Sequence, residues 1–206
     1  MCIRDSAGIA LSIVNSREIQ ISDIDLSRPT AIGGTGINCL NADNISITNS
    51  VIRNRRGGVF YSGGSDAKII NNDFTNTGLN SNEAAIRLDG IIGANIAQGV
   101  DIGNNVFGGP SANSGLRIDN MDNLIISDGS LPGSHIVLAD GTFNDFRNDI
   151  VIRLINCNNT LIESIDMSRP TGTNGTGLNA QNCNDCLLYT SPSPRDRTRS
   201  RMPSSA

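Results

Sequence analysis

The stretch EIQISDIDL, Glu18 to Leu26, returns through the chain in altered form. With Ile21 as a reference mark, the same frame recurs at Ile47 in NISITNSVI, Ile69 in AKIINNDF and Ile102 in GVDIGNNVF. It recurs again at Ile126 in NLIISDGSL and Ile162 in TLIESIDM. Two residues before each mark stand Ile19, Ile45, Ala67, Val100, Leu124 and Thr160. Five residues after it stand Leu26, Ile52, Phe74, Phe107, Leu131 and Met167. Apolar residues two apart face the same side of a strand. Between these positions, two after the mark, stand Asp23, Asn49, Asn71, Asn104, Asp128 and Ser164. Short polar residues of this kind tolerate left-handed backbone angles and bond their own main chain, so they mark a turn.

Working outward, a third apolar pair precedes the mark: Leu11 and Ile13, Ile37 and Cys39, Val59 and Tyr61, Leu116 and Ile118, Ile152 and Leu154. Glycine often precedes that pair, as at Gly36, Gly58 and Gly115. Each unit therefore reads as three short strands with loops between them. One unit cannot bury its own inward face, whereas stacked units can, with like residues at about 4.8 Å. The marks are 26, 22, 33, 24 and 36 residues apart, so loops vary while the strand pattern holds. The expectation is an all-β chain, a parallel β-helix of about six to seven coils. A leucine-rich repeat would need a regular Leu frame and helices, and a sandwich would not place Asn at one fixed point per unit.

The frame resembles the right-handed parallel β-helix of the pectin lyase-like superfamily over residues 7–185. Handedness follows from that resemblance and from the right-handedness of parallel crossovers. A longer period lies on top: SIDMSRPTGTNGTGLNAQN, Ser164 to Asn182, echoes DIDLSRPTAIGGTGINCLN, Asp23 to Asn41, at a shift of 141 residues. Arg28 and Pro29 match Arg169 and Pro170, and the block starts again near residue 149.

The two ends read differently. Met1 to Asp5 back-translates to the mosaic end used in transposon-based sequencing libraries. Cys186 to Asp196 back-translates to the reverse complement of that element followed by adapter. Residues 1–6 and 186–206 are therefore expected to be adapter-derived, the second disordered, with 7–185 a fragment of a longer bacterial chain. Without them the chain carries 11 basic and 18 acidic residues, a net charge of −7. Such acidity disfavours nucleic acid as a partner. No stretch is apolar and long enough to span a bilayer as a helix. Cys39, Cys157 and Cys183 are not spaced as metal ligands or as a disulfide framework. Cys157 and Cys183 do share one place, five before the mark, with Ser16, Ala42, Gly64 and Ala97. Small inward residues are expected there, as buried free thiols or as one inter-coil disulfide.

Candidate chemistry is sparse. Four residues after the mark the outward position holds Asp25, Val51, Asp73, Val106, Ser130 and Asp166. Asp25 and Asp73 would lie two coils apart, about 10 Å, near the upper limit for an inverting carboxylate pair. Val51 between them argues for solvated edge charge instead. Polygalacturonase-like enzymes carry Asp-x-Asp and Gly-His-Gly patterns; here Asp23-Ile24-Asp25 supplies only the first. His135, the sole histidine, reads as a solvent-facing or turn residue. Arg28 and Arg169 read as outward turn residues held by the following proline. Calcium at Asp23 and Asp25 is the one metal reading, on few carboxylates. Of the aromatic residues Phe60, Tyr61, Phe74, Phe107, Phe143 and Phe146, two belong to the inward stripe, which leaves few sugar platforms. The expected function is a non-catalytic, adhesin-like segment of a repetitive β-helix protein, with polysaccharide or cell-surface glycans as partners. The resemblance implies secretion or surface display. The alternative is a piece of a polysaccharide lyase or glycoside hydrolase whose catalytic coils lie elsewhere, or in the long loops Thr75–Ala85 and Pro132–Asn148.

Overall fold

A computed structural model describes residues 8–29, 33–78, 83–90, 99–107, 114–128, 134–138, 149–165, 167 and 175–189. Met1 to Ser6, Ala97, Ser130, Leu131, Phe143, Phe146, Asp166, Arg169 and Pro170 lie outside the described residues, as does the segment from Thr190 onward. All described regular structure is β: β1 (Leu11–Ser22), β2 (Thr35–Thr48), β3 (Gly57–Ser62), β4 (Ala67–Ile70), β5 (Ile86–Asp89), β6 (Val100–Gly103) and β7 (Ser114–Asp119). Then follow β8 (Ile125–Ser127), β9 (Ile136–Leu138), β10 (Asp149–Ile155), β11 (Leu161–Glu163), β12 (Gly175–Gln181) and β13 (Leu187–Tyr189). Every ladder is parallel, and the single sheet curls through 305° around one axis: a parallel β-helix.

The register follows the repeat. Ile21 pairs with Ile47, Ile47 with Ile69, Ile69 with Ile102, and Ile126 with Ile162. On the next face Ile37 pairs with Val59 and Leu116 with Ile152. The third face is present as single parallel bridges, Asp25–Val51–Asp73–Val106, which bring Leu26, Ile52, Phe74 and Phe107 into the interior. These inward columns form one continuous buried cluster. Burying each Ile, Leu or Phe in it contributes about 1.5–3 kcal/mol.

The corners explain the Asn content. In the first two coils the two long faces are one continuous strand each, bent at left-handed residues. Three long columns of such residues run up the stack, where the repeat had shown one, besides the shorter pair Asn54 and Asn76. One contains Asp23, Asn49, Asn71, Asn104 and Ser164; another Asn15, Asn41, Gly63, Asn120, Asn156 and Asn182; the third Glu18, Asn44, Asp66, Gly99, Asn123, Asn159 and Asp185. Their amides bond in ladders, Asn156 Nδ2 to Asn120 Oδ1 at 3.0 Å and Asn182 Nδ2 to Asn156 Oδ1 at 3.2 Å. A buried ladder runs inside the first corner. Asn72 Nδ2 donates to Ile47 O at 2.9 Å, Asn105 Nδ2 to Ile69 O at 2.6 Å, and Asn72 N to Asn105 Oδ1 at 2.9 Å. Main-chain groups that the turn removes from the strand ladder thus find partners. The glycines before the strands have a packing cause. A Cβ on Gly36 would lie 2.5 Å from Ile52 Cγ2, and one on Gly58 would lie 2.7 Å from Phe74 Cδ1.

Five expectations are corrected. The 33-residue interval between Ile69 and Ile102 is not only loop: β5 supplies a strand whose Ile86 and Leu88 pair into the stack between Val59/Tyr61 and Leu116/Ile118. Ile126 does not stack on Ile102. The segment Pro132–Asn148, expected as loop, contains β9, which lies between β6 and β8. Val100 and Ile126 both pair with Ile136, so the register steps by two residues there. The column of small residues admits a large one, since Met121 is buried at that place. Leu187 to Tyr189, expected as part of a disordered tail, form β13 on β11, with all three side chains exposed.

Candidate functional site

Asp25 and Asp73 stand where the repeat placed them, outward on the third face, with Val51 bridging between them. Each carboxylate accepts hydrogen bonds from its own surroundings. Asp25 Oδ1 accepts from Ser27 N at 2.8 Å. Its hydrogen bonds from Ser27 hold the carboxyl below its ordinary range. Asp73 Oδ1 accepts from Thr75 N at 2.9 Å, and Oδ2 accepts from Arg53 Nε at 2.9 Å. Burial pushes the Asp73 carboxyl up, but the bonds from Arg53 and Thr75 outweigh it and hold it below the ordinary range. Both are corner-capping carboxylates kept ionised. A glycosidase acid must instead be held protonated at neutral pH.

The remaining candidates also carry local structure. Arg28 Nη1 donates to Gly33 O at 2.8 Å. Asp23 occupies a left-handed corner position. Among the described residues no group of three or more His, Cys, Asp or Glu is close enough to hold a metal ion. His135 is half-buried and fastens the inserted strand. Its Nδ1 accepts from Ile125 N at 3.1 Å, while its own N–H donates to Ile125 O at 2.9 Å. The Nδ1 lone pair thereby stands in for a strand carbonyl, a role no motif announces. Cys157 and Cys183 are free thiols in adjacent coils. Burial pushes the Cys157 thiol up to about 12.

The structure also brings together a cluster that the repeat frame did not single out. Phe60, Arg87 and Arg117 occupy one outward column over β3, β5 and β7. Arg87 Cζ lies over the Phe60 ring at 5.1 Å. Arg87 Nε bonds Asp119 Oδ2 at 2.7 Å and its Nη2 bonds Asp89 Oδ2 at 3.0 Å; Arg117 Nε bonds Asp119 Oδ1 at 2.8 Å. The register of Ile86, missed in sequence, is what aligns these charges. Phe74 and Phe107 stack inside at 5.6 Å between ring centroids, so they are unavailable as sugar platforms. No protein-family model and no curated protein matches the chain.

Proposed function

We propose that this chain is a non-catalytic, adhesin-like segment of a large repetitive β-helix protein of the pectin lyase-like type, secreted or displayed at a cell surface, with polysaccharides or surface glycans as its partners. The observation that carries this reading is the state of the outward carboxylates. Asp25 and Asp73 are separated by an apolar residue, bound to their own corners, and held ionised. General acid–base work needs an acid, a base and positioning groups within reach of one reacting centre. The surface best suited to a glycan is the outward Phe60–Arg87–Arg117 column, in which the Arg87 guanidinium lies over the Phe60 ring.

A screen of the chain against neutral and acidic polysaccharides, with and without calcium, tests this reading. The expected result is saturable binding without turnover, weakened at least about tenfold, about 1.4 kcal/mol, by Phe60→Ala or Arg87→Ala. Turnover that disappears in Asp25→Asn or Asp73→Asn would establish the enzyme reading in its place.

A further inference from the structure

The sixth coil carries β10 and β11, and the seventh carries β12 and β13. Ile155 pairs with Gln181 and Leu161 with Leu187, both offsets of 26 residues. Cys157 and Cys183 lie between those pairs at the same offset, one above the other. In-register neighbours in a parallel stack sit about 4.8 Å apart, inside the range of about 4.4–6.8 Å between Cα atoms that a disulfide spans. The two residues already touch, with Cys157 N directed at Cys183 Sγ at 3.4 Å. Cys157 Sγ now bonds Ile118 O at 3.5 Å and Ile155 O at 3.4 Å, and Cys183 Sγ bonds Gln181 O at 3.3 Å. These are weak thiol contacts that side-chain rotation can exchange for a covalent bond.

We infer that Cys157 and Cys183 are an oxidisable pair whose disulfide staples the seventh coil to the sixth. The partner required is an oxidant of the disulfide class. Cys183 is the more exposed of the two, whereas Cys157 is fully buried, so Cys183 attacks first. Its thiolate displaces one thiol from a small disulfide and forms a mixed disulfide. Cys157 then gives up its proton and displaces the second thiol. Two protein thiols and one small disulfide become one protein disulfide and two small thiols, with two electrons transferred. Cys39, buried four coils away, takes no part. Cys186 is a competitor, because its Sγ lies 3.5 Å from Cys157 O.

The test uses the full chain carrying Cys186→Ser, equilibrated with oxidised and reduced glutathione. Cleavage after Glu163 separates the two cysteines, so non-reducing mass spectrometry reads the bridge directly. The expected result is a Cys157–Cys183 cross-linked peptide in oxidised protein. Amide exchange over β12 should slow at least about tenfold relative to reduced protein. Both effects should vanish in Cys183→Ser, while exchange over β2 should not change. Cys183 recovered as a stable glutathione adduct with Cys157 still reduced would overturn the inference. A bridge that forms without slowing exchange over β12 would also overturn it, because no stapling would follow.

Discussion

Coils four and five meet in two ways. On one face β5 pairs directly with β7, Ile86 with Leu116 and Leu88 with Ile118. On the other face β6 and β8 never touch, because β9 lies between them and pairs with both. The direct contact holds the frame; the indirect one shows how little the frame demands. A stacked strand needs main-chain partners above and below and an inward apolar pair. Ile136 and Leu138 supply that pair in three residues. Where β9 begins, His135 completes the hydrogen bonding with a ring nitrogen instead of a carbonyl. Chain order and spatial order can therefore part company without breaking the core.

Three changes sharpen this contrast. Truncation on the direct face should cost most: Leu88→Ala leaves a cavity in a fully buried column and should lower stability by about 2–5 kcal/mol in chemical denaturation. An undiminished midpoint would show that β5 is not integral to the stack. On the indirect face, His135→Ala leaves the Ile125 N–H without its acceptor, a loss of about 1–3 kcal/mol. Amide exchange should quicken at Ile125 while β5 and β7 keep their protection. Equal quickening in β5 would mean that the inserted strand supports the opposite face too. The smallest effect belongs to the outward bridges. The Asp73 carboxyl is held below its ordinary range, so its contribution is complete above the unfolded carboxylate range near pH 4 and is lost as pH falls through the lower folded value. Asp73→Asn should cost no more than about 1 kcal/mol at neutral pH and should lose less stability than the parent between about pH 4 and pH 2. Identical acid titration of the two proteins would remove Asp73 from the corner's stabilisation.

The contrast also shows what was legible. The inward columns of Ile21, Ile47, Ile69 and Ile102 could be read because burial imposes one apolar choice at a fixed spacing. The turn column of Asp23, Asn49, Asn71 and Asn104 could be read because left-handed corners restrict residue type. In the other six coils eight residues separate the two faces, as from Cys39 to Ile47 or Tyr61 to Ile69. In the fourth coil Leu88 and Ile102 are 14 apart, and a search in a fixed frame passes over β5. Ile136, Val137 and Leu138 are one short apolar run inside a segment read as loop, and nothing in a linear frame tells a strand to insert behind its predecessor. Of the candidate site, the positions of Asp25 and Asp73 were legible and their partners were not. The bond from Arg53 to Asp73 crosses between coils, and only the register decides which guanidinium meets which carboxylate.

The inserted strand has a geometric consequence. In the terms of crystals, β9 is an extra half-plane ending inside a regular lattice, and its edge is a dislocation. Among the described strands, seven rungs climb the side of β5 and β7 while eight climb the side of β9. One added rung is about 4.8 Å of height against a body whose opposing sheets stand about 10 Å apart. A rod with one side taller than the other must lean, and it leans toward the shorter side. If each 141-residue block carries its own half-plane, every block leans in the same local direction, and a long stack winds into a curve rather than growing straight.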